Sequence, residues 1–357
     1  MLVYFLFFYI CEEKQRIKSH NPTHIALNNN VVYFCDESGN NLWDFKFSPE
    51  QGFRSSYLPP PSVKIKKLVD FADIDRDSRN EVVFFRLSDD LENREILVFD
   101  NDGSILFKKK FVPNQRYAEM SLDNNAWRVD YLMMADIQGD EIPEILAIWK
   151  NQSRFPSSLV IYDRYGNELY RYNHTGHLHR IEVFKNREGK KFIYLAGTNN
   201  LLDGNAVLSV LNCDHLVSGT APPYSVPEDL EHLKGRLGKY TPLQPKKGVQ
   251  EYYLRITHNE LSRLVTPEQK SKYLRPRITD ISDEGITFTI KVMANRFLFY
   301  TLNSSFRLKS IIPSRSFQDD WNNFFNQKKI SLSLESFVKN SEKDILFWTD
   351  SGWAPSY

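Results

Sequence analysis

The chain has 357 residues, of which 41% are hydrophobic and 25% are charged, a composition typical of a globular protein that buries a large core. Its 46 basic and 45 acidic residues give a formal net charge of +1, which argues against a nucleic-acid-binding protein that relies on a broad cationic face. The three cysteines, Cys11, Cys35 and Cys213, lack C-x-x-C spacing, so neither a disulfide framework nor a zinc ribbon is indicated.

The first ten residues, Met1–Ile10, carry no charge and lead directly into the charged stretch Cys11–Lys18. A helix needs about 20 apolar residues to span a bilayer, and the flanks do not fit a secretory signal peptide. Two interpretations stay open. Residues 1–19 are part of a membrane helix with its linker, which would place residues 20–357 on the extracytoplasmic side, or they begin with a β-strand of a soluble cytoplasmic scaffold. The lack of polar alternation favours the membrane segment.

An Asp-x-x-Gly pattern follows three apolar runs, at Asp36–Gly39, Asp100–Gly103 and Asp163–Gly166. Asp at the first position of a turn bonds its own backbone, and Gly at the last accepts a positive φ, so each pattern predicts a hairpin. The glycines are spaced by 64 residues (39 to 103) and 63 residues (103 to 166). An aromatic residue follows each glycine by four positions: Trp43, Phe107 and Tyr170.

A second pattern keeps the same spacing. Asp73–Glu81 and Asp136–Glu144 are acidic turns offset by 63 residues (73 to 136), and each precedes an apolar run. Two motifs with one period predict a structural repeat of about sixty residues. Four strands in that length match one blade of a β-propeller, so we expect an all-β propeller of about five to seven four-stranded blades. A further, blurred copy is expected with Ala196–Asn200 in place of the acidic turn.

Two regions interrupt the expected propeller domain, 20–357. The proline-rich segment 218–248 is predicted to be a long loop with a turn of helix at Glu228–Leu237, either a lid over a binding face or a plain excursion between blades. A short helical insertion is predicted over 316–340, capped by Ser316 and packed through Phe317, Trp321, Phe324 and Phe325.

The chain resembles the FG-GAP or VCBS class of propeller repeats, whose turn has the pattern D-x-D-x-D-G-x-x-[DE] before an apolar strand. Asp73, Asp75, Asp77 and Glu81 match this pattern, while Ser78 stands where the family has glycine. The second turn keeps Asp136, Asp140 and Glu144 but has Gln138 at its second acidic position. The resemblance implies a scaffold, typical of membrane-tethered bacterial modules of undefined role, and no specific reaction.

Calcium is the ion that this turn chemistry favours, because several carboxylates on alternate residues are able to converge on one hard cation. The expected ligands are Asp73, Asp75, Asp77 and Glu81 through their side chains and Arg79 through its backbone carbonyl. The alternative is an ion-free turn whose carboxylates accept hydrogen bonds from the loop's own N–H groups. The second turn, with Asp136, Asp140 and Glu144, is the weaker candidate. Such an ion would be structural.

His174, His177 and His179 lie close in sequence, but the absence of nearby cysteines favours hydrogen-bonded histidines over a zinc site. No G-x-S-x-G, H-E-x-x-H or phosphate-binding glycine motif occurs in the sequence. We therefore expect a binding or sensing module for a protein or carbohydrate ligand, without catalysis and without nucleic acid. The alternative is an extracytoplasmic hydrolase or lyase that acts on a polysaccharide.

Overall fold

The computed structural model describes residues 21–28, 31–46, 68–86, 94–119, 122, 126–152, 156–257, 275–293 and 296–355. These residues form two compact units. Unit 1 comprises those within 1–113, 123–152 and 159–170, and unit 2 comprises those within 114–122, 153–158 and 171–357. The interpretations of residues 1–19 and of Cys11 fall outside the described residues. None of the described helices has the length and apolar character needed to cross a membrane.

Unit 1 is built from antiparallel sheets whose strands are neighbours in sequence. The first sheet has the order β1–β2–β3 and the second β4–β5–β6–β7. Their bounds are β1 (His24–Asn28), β2 (Val31–Cys35), β3 (Asn41–Lys46), β4 (Val69–Ala72), β5 (Glu81–Arg86), β6 (Glu95–Phe99) and β7 (Ile105–Lys109). The apolar strands β5 and β6 are buried at every position, as continuous apolar runs of this length predict.

The third set of strands repeats the arrangement of the second. It follows the two-residue strand β8 and has the order β9–β10–β11–β12. The bounds are β8 (Arg116–Tyr117), β9 (Trp127–Ala135), β10 (Glu144–Asn151), β11 (Ser157–Tyr162) and β12 (Glu168–His174). Strands β11 and β12 cross the boundary of unit 1, in which their residues 159–162 and 168–170 lie. In the second and third sets alike, an acidic turn joins the first two strands.

The predicted Asp-x-x-Gly hairpins are confirmed. Gly39, Gly103 and Gly166 have φ of +84°, +88° and +79°, the region that glycine enters without steric cost. Each glycine N–H donates to the carbonyl of the aspartate three residues earlier, at 3.0, 3.0 and 2.9 Å. The carboxylates of Asp36 and Asp163 add bonds to the same positions of their own turns, including the side-chain amides of Asn40 and Asn167.

Successive sheets of unit 1 meet through equivalent positions. A Cβ on Gly103 would lie 2.8 Å from the Trp43 ring, and one on Gly166 would lie 2.7 Å from the Phe107 ring. Trp43 and Phe107 each stand four residues after the glycine of their own sheet. The offset also recurs in polar contacts, since Asp70 accepts the Met134 N–H at 2.7 Å across 64 residues. The aromatic residue after each of the first two hairpins thus occupies the space left by the next glycine.

This contact predicts different costs for the same substitution at two glycines. Gly39→Ala should cost about 1 kcal/mol, because its positive φ is strained for alanine but no atom of the described residues beyond its chain neighbours lies within 4 Å of the added Cβ. Gly103→Ala has the same φ strain and should cost a further ~1–3 kcal/mol, because Trp43 must move. Urea unfolding of both variants measures the difference. Equal destabilisation of the two variants would show that the Trp43–Gly103 contact adds nothing to the cost of Gly103→Ala.

Unit 2 combines a six-stranded sheet, a four-stranded sheet and short helices. The sheet orders are β13–β14–β15–β18–β23–β24 and β19–β20–β21–β22, while β17 pairs with β8 and β16 pairs with the second half of β12. The strands are β13 (His177–Lys185), β14 (Lys191–Asn199), β15 (Asn205–Asn212), β16 (Gly219–Thr220), β17 (Pro242–Leu243), β18 (Tyr252–Ile256), β19 (Arg275–Ser282), β20 (Gly285–Met293), β21 (Arg296–Asn303), β22 (Leu308–Pro313), β23 (Ile345–Thr349) and β24 (Gly352–Ala354).

The helices are α1 (Lys234–Leu237), α2 (Arg315–Asn326) and α3 (Leu334–Asn340). Helices α2 and α3 pack into the same core as one face of the six-stranded sheet and one face of β19–β22, with Phe317 and Trp321 fully buried. Phe324 is partly buried against the same core, so these three members of the predicted stripe pack as their spacing predicts. The prediction is wrong for Phe325, which is 38% exposed. The predicted cap is wrong: Ser314, with extended backbone, accepts the Phe317 N–H, and Ser316 lies inside the first turn of α2.

The predicted place of the turn in the further copy is also wrong. Ala196–Asn199 belongs to strand β14, and the connection to β15 begins only at Asn200, where the Asn199 side chain caps a short 3-10 helix. Strand β15 then pairs with β18 on its far side, which extends the sheet to six strands. The mostly β class is confirmed, with antiparallel sheets as its main elements. In the segment 218–248, the expected helical turn is a 3-10 helix, Glu228–Leu233, followed by α1.

Candidate metal site

The turn between β4 and β5 is held by hydrogen bonds from its own backbone. Asp73 accepts the N–H groups of Arg76 at 2.6 Å and Ser78 at 2.8 Å, one with each carboxylate oxygen. Asp75 accepts the Asp77 N–H at 3.0 Å, and Asp77 accepts the Arg79 N–H at 2.7 Å. The alternating aspartates therefore shape the loop before any ion is considered.

The loop contains two left-handed residues, Arg76 with φ of 70° and Ser78 with φ of 71°. The family pattern has glycine at position 78, and a non-glycine residue in this region costs on the order of 1 kcal/mol. The strain expected for Ser78 is thus present. Ser78 keeps the conformation because its N–H is bound by Asp73.

The three aspartates converge. One carboxylate oxygen from each of Asp73, Asp75 and Asp77 lies within 4.8 Å of the other two. Asp75 and Asp77 are exposed and Asp73 is half-buried, so the group opens to solvent on one side. Three oxygens at such spacing suit a hard cation that takes six to eight oxygen ligands, with water completing the set. Arg79 donates its guanidinium to Asn101 at 3.4 Å, and a role for its carbonyl oxygen stays a prediction.

Glu81 follows the turn as the first residue of β5. It is fully buried, and its Oε2 accepts the Ile74 N–H at 2.8 Å. Its Oε1 is buried and has no hydrogen-bond partner among the described residues. Burial is the main cause that raises the pKa of Glu81 to about 7, and the negative charges of Asp75, Asp77 and Asp100 raise it further. A cation bound by the aspartates would supply the positive charge that this carboxylate lacks.

The second acidic turn has left-handed residues at the same positions as the first, but its glutamate has different hydrogen-bond partners. Gly139 and Glu141 take the left-handed conformation, and Asp136 accepts both of their N–H groups. Glu144 accepts the Ile137 N–H at 2.9 Å, as Glu81 accepts that of Ile74. Its other oxygen, however, accepts the side-chain amide of Gln138 at 2.8 Å.

Gln138 therefore supplies at the second turn the hydrogen bond that Glu81 lacks at the first. The residue stands where the first turn has Asp75. The second turn satisfies its buried carboxylate with protein groups alone, whereas the first leaves one carboxylate oxygen unpaired among the residues that the structure describes. Of the two predicted metal sites, the first fits a cation better.

The three histidines do not act as a set. His174 is fully buried; its Nε2 lies 3.0 Å from the Tyr253 hydroxyl, and its Nδ1 accepts the Gly176 N–H at 3.0 Å. Burial lowers the pKa of His174 to about 4, so the ring is neutral near pH 7. His177 and His179 lie in β13 with ring centres 3.9 Å apart. Because both nitrogens of His174 are hydrogen-bonded, the ring offers no lone pair to a metal.

Unit 2 contains a cavity of about 350 Å³ that was not predicted from the sequence. It lies beside the β21–β22 turn, and its lining includes Glu251, Tyr252, Arg307, Glu342 and Phe347. No local motif joins these residues, since the chain brings them together from segments far apart in sequence.

No family model and no curated protein matches this chain. Among solved structures, a protein of unknown function from Bacteroides caccae is 10% identical, with 83% of this chain and 96% of that chain covered and a TM-score of 0.29. The Dos1 propeller is 10% identical, with 79% and 72% covered and a TM-score of 0.33. The V. cholerae biofilm matrix protein Bap1 is 12% identical, with 82% and 53% covered and a TM-score of 0.17. TM-scores this low carry no fold assignment, so the architecture rests on the sheets themselves.

Proposed function

We propose that this chain is a non-catalytic ligand-binding module of the β-propeller type, with one structural calcium ion in the turn Asp73–Glu81. The equivalent packing of Trp43 on Gly103 and of Phe107 on Gly166 supports sheets that act as repeated blades. Loops carried by successive blades are suited to recognition without chemistry. A protein or a carbohydrate is the proposed ligand.

The observation that carries the calcium proposal is the unpaired, buried Oε1 of Glu81 at the end of the turn in which three aspartates converge. The four carboxylates would hold the ion, and the Arg79 carbonyl and water would complete its oxygen ligands. Asp73 and Asp75 still have lone pairs for this task, because each carboxylate oxygen accepts more than one contact. The ion would neutralise the turn and fix the β4–β5 connection.

Calorimetry with calcium tests this site against a matched control. Asp75→Asn should abolish the heat of binding, because it removes a charged ligand. Asp140→Asn should leave it unchanged, although Asp140, like Asp75, is exposed and accepts a backbone N–H two residues ahead at 3.0 Å. We expect wild-type affinity in the range of extracellular modules, a Kd of about 0.1–1 mM. Equal heats for the wild type and Asp75→Asn would exclude the site.

A polysaccharide-active hydrolase is the second candidate, because Glu251 and Glu342 line one cavity together with Tyr252. Paired carboxylates beside an aromatic ring are the usual components of glycoside hydrolysis. Incubation with acidic and neutral polysaccharides, followed by a reducing-end assay, separates the two functions. The binding module should retain the polymer or a protein ligand and release no new ends. Release that is lost in Glu251→Gln or Glu342→Gln would establish the hydrolase instead.

Attachment to a membrane through the uncharged stretch Met1–Ile10, with the module on the extracytoplasmic side, is part of the same proposal. Fractionation of cells that express the chain with and without residues 1–19 tests it. Recovery of both forms in the soluble cytoplasmic fraction would favour the cytoplasmic scaffold.

A further inference from the structure

Arg255 is a buried cation in the six-stranded sheet of unit 2. It lies in strand β18, opposite Val207 of β15 and Leu346 of β23, and is 1% exposed. Its Nη2 donates to Asp229 Oδ2 at 2.7 Å. Its Nε and Nη1 are buried and have no acceptor among the described residues. A buried guanidinium with a single acceptor is unfavourable, because charge and N–H groups are both removed from water without full compensation.

One aromatic ring packs on this cation, and two further rings adjoin it. The Arg255 Cζ lies 4.6 Å from the ring centre of Trp353, which is itself 6.0 Å from Tyr253 and 5.3 Å from Trp348. Trp353 and Trp348 are half-buried in the edge hairpin β23–β24. The Trp353 Nε1 is a further buried donor that finds no acceptor in the described part of the chain. Unpaired donors beside flat apolar surfaces fit a ligand that has an anionic group and a ring.

Asp229 reaches Arg255 from outside the sheet. It belongs to the 3-10 helix Glu228–Leu233 of the proline-rich segment, and its side chain is 53% exposed. The same segment places Tyr224 edge-on to Trp348 at 6.1 Å. The path from solvent to Arg255 therefore leads along the Asp229 carboxylate, which binds the guanidinium through one oxygen only.

We propose that Arg255 anchors a carboxylate-binding site that the tethered carboxylate of Asp229 fills in this structure. An organic acid with a flat apolar face, of which a uronic acid is the simplest saccharide example, displaces Asp229 and packs against Trp353 and Trp348. A carboxylate that binds two guanidinium nitrogens makes a stronger contact than the single bond of Asp229. The ring adds contact with the indole faces. This inference rests on the ligand-binding part of the proposed function and names its ligand class.

Chemical rescue tests whether the site accepts an external carboxylate. Asp229→Ala should lower Tm by ~2–6 °C, because a buried charge loses its acceptor, and sodium acetate should restore Tm where sodium chloride of equal ionic strength does not. Asp320→Ala is the matched control, since Asp320 pairs with Arg296 at the same 2.7 Å but Arg296 is 30% exposed. Its Tm should change little and should not respond to acetate. An acetate response that is absent from Asp229→Ala, or equal in both variants, overturns the proposal.

Binding of D-glucuronate, measured by calorimetry, tests the ligand class. Asp229→Ala should bind at least about tenfold more tightly than the wild type, because the tethered competitor is gone. D-glucose, which has no carboxylate, should not bind either form, and acetate should bind more weakly than glucuronate. Equal affinity for acetate and glucuronate would show that the aromatic rings do not contribute to binding. If neutral polysaccharides bind but glucuronate does not, the carboxylate site fails while the proposed ligand-binding module stands.

Discussion

Phe306→Ala should destabilise unit 2 by about 3–5 kcal/mol, the range for a buried aromatic residue truncated to alanine. Phe306 is 6% exposed, and its ring centre lies 4.1 Å from that of Tyr252 and 6.5 Å from that of Tyr194. It lies in the turn between β21 and β22, where a residue with an exposed side chain is usual. The expected loss therefore measures how far this turn is anchored in the core.

The same residue has a left-handed backbone, with φ of 58°. A bulky side chain is a genuine outlier there, and the conformation costs on the order of 1 kcal/mol relative to glycine. Phe306→Gly should thus be less destabilised than Phe306→Ala by about 1 kcal/mol, although both remove the ring. Urea unfolding of the two variants gives the order. A glycine variant that is no more stable than the alanine variant would contradict the strain at this position.

The turn at Phe306 is a hairpin that the Asp-x-x-Gly pattern does not identify. Its Asn303 carbonyl accepts the Phe306 N–H at 2.9 Å, and the Asn303 N–H donates to the Arg307 carbonyl, the same bonds as in the Asp36 turn. The pattern Asp-x-x-Gly predicts three such hairpins because aspartate and glycine supply the side-chain acceptor and the positive φ. Here asparagine and phenylalanine take those places, and the local sequence gives no signal. Core packing by the Phe306 ring offsets a backbone cost that glycine would avoid.

The number of strands in the six-stranded sheet was also not predictable from the sequence. Strand β18 pairs with β15 on one side and with β23 on the other, and β23 begins almost ninety residues after β18 (256 to 345). The apolar run Ile345–Trp348 fits a strand, but it does not specify the partner of that strand. In unit 1 the paired strands are neighbours in sequence, so the period there predicts the hairpins, although the first sheet has three described strands where four were expected.

The convergence of the three aspartates was predictable from the sequence, and the electrostatics of the turn was not. The spacing of Asp73, Asp75 and Asp77 indicated a convergent turn, and the structure brings their oxygens together. From the sequence alone, Gln138 is a neutral residue at a position where the pattern has an acidic one. Only the geometry reveals that its amide donates to Glu144, and that Glu81 has no such donor in the described residues.

Glu81→Gln should remove a pH dependence of stability that the wild type shows when calcium is chelated. The folded-state pKa of Glu81 is about 7, above its usual value of 4.5. The folded protein therefore binds more protons than the unfolded chain between pH 4.5 and 7, and stability falls as pH rises through this window. The loss from this one group is about 3 kcal/mol and is complete above pH 7. Glutamine stays neutral throughout, as protonated Glu81 does at low pH.

The informative quantity is the difference in unfolding free energy between Glu81→Gln and the wild type, because other titrating groups cancel in it. It should be near zero at pH 4.5 and should reach about 3 kcal/mol in favour of the variant at pH 8. Glu144→Gln is the matched control: the pKa of Glu144 is also raised, chiefly by burial, but the Gln138 amide stabilises its charged form. Its difference should therefore change less with pH. A difference for Glu81→Gln that is constant from pH 4.5 to 8 would mean that the Glu81 carboxylate is already ionised at low pH, and its unpaired oxygen would then give no support to a cation in this turn.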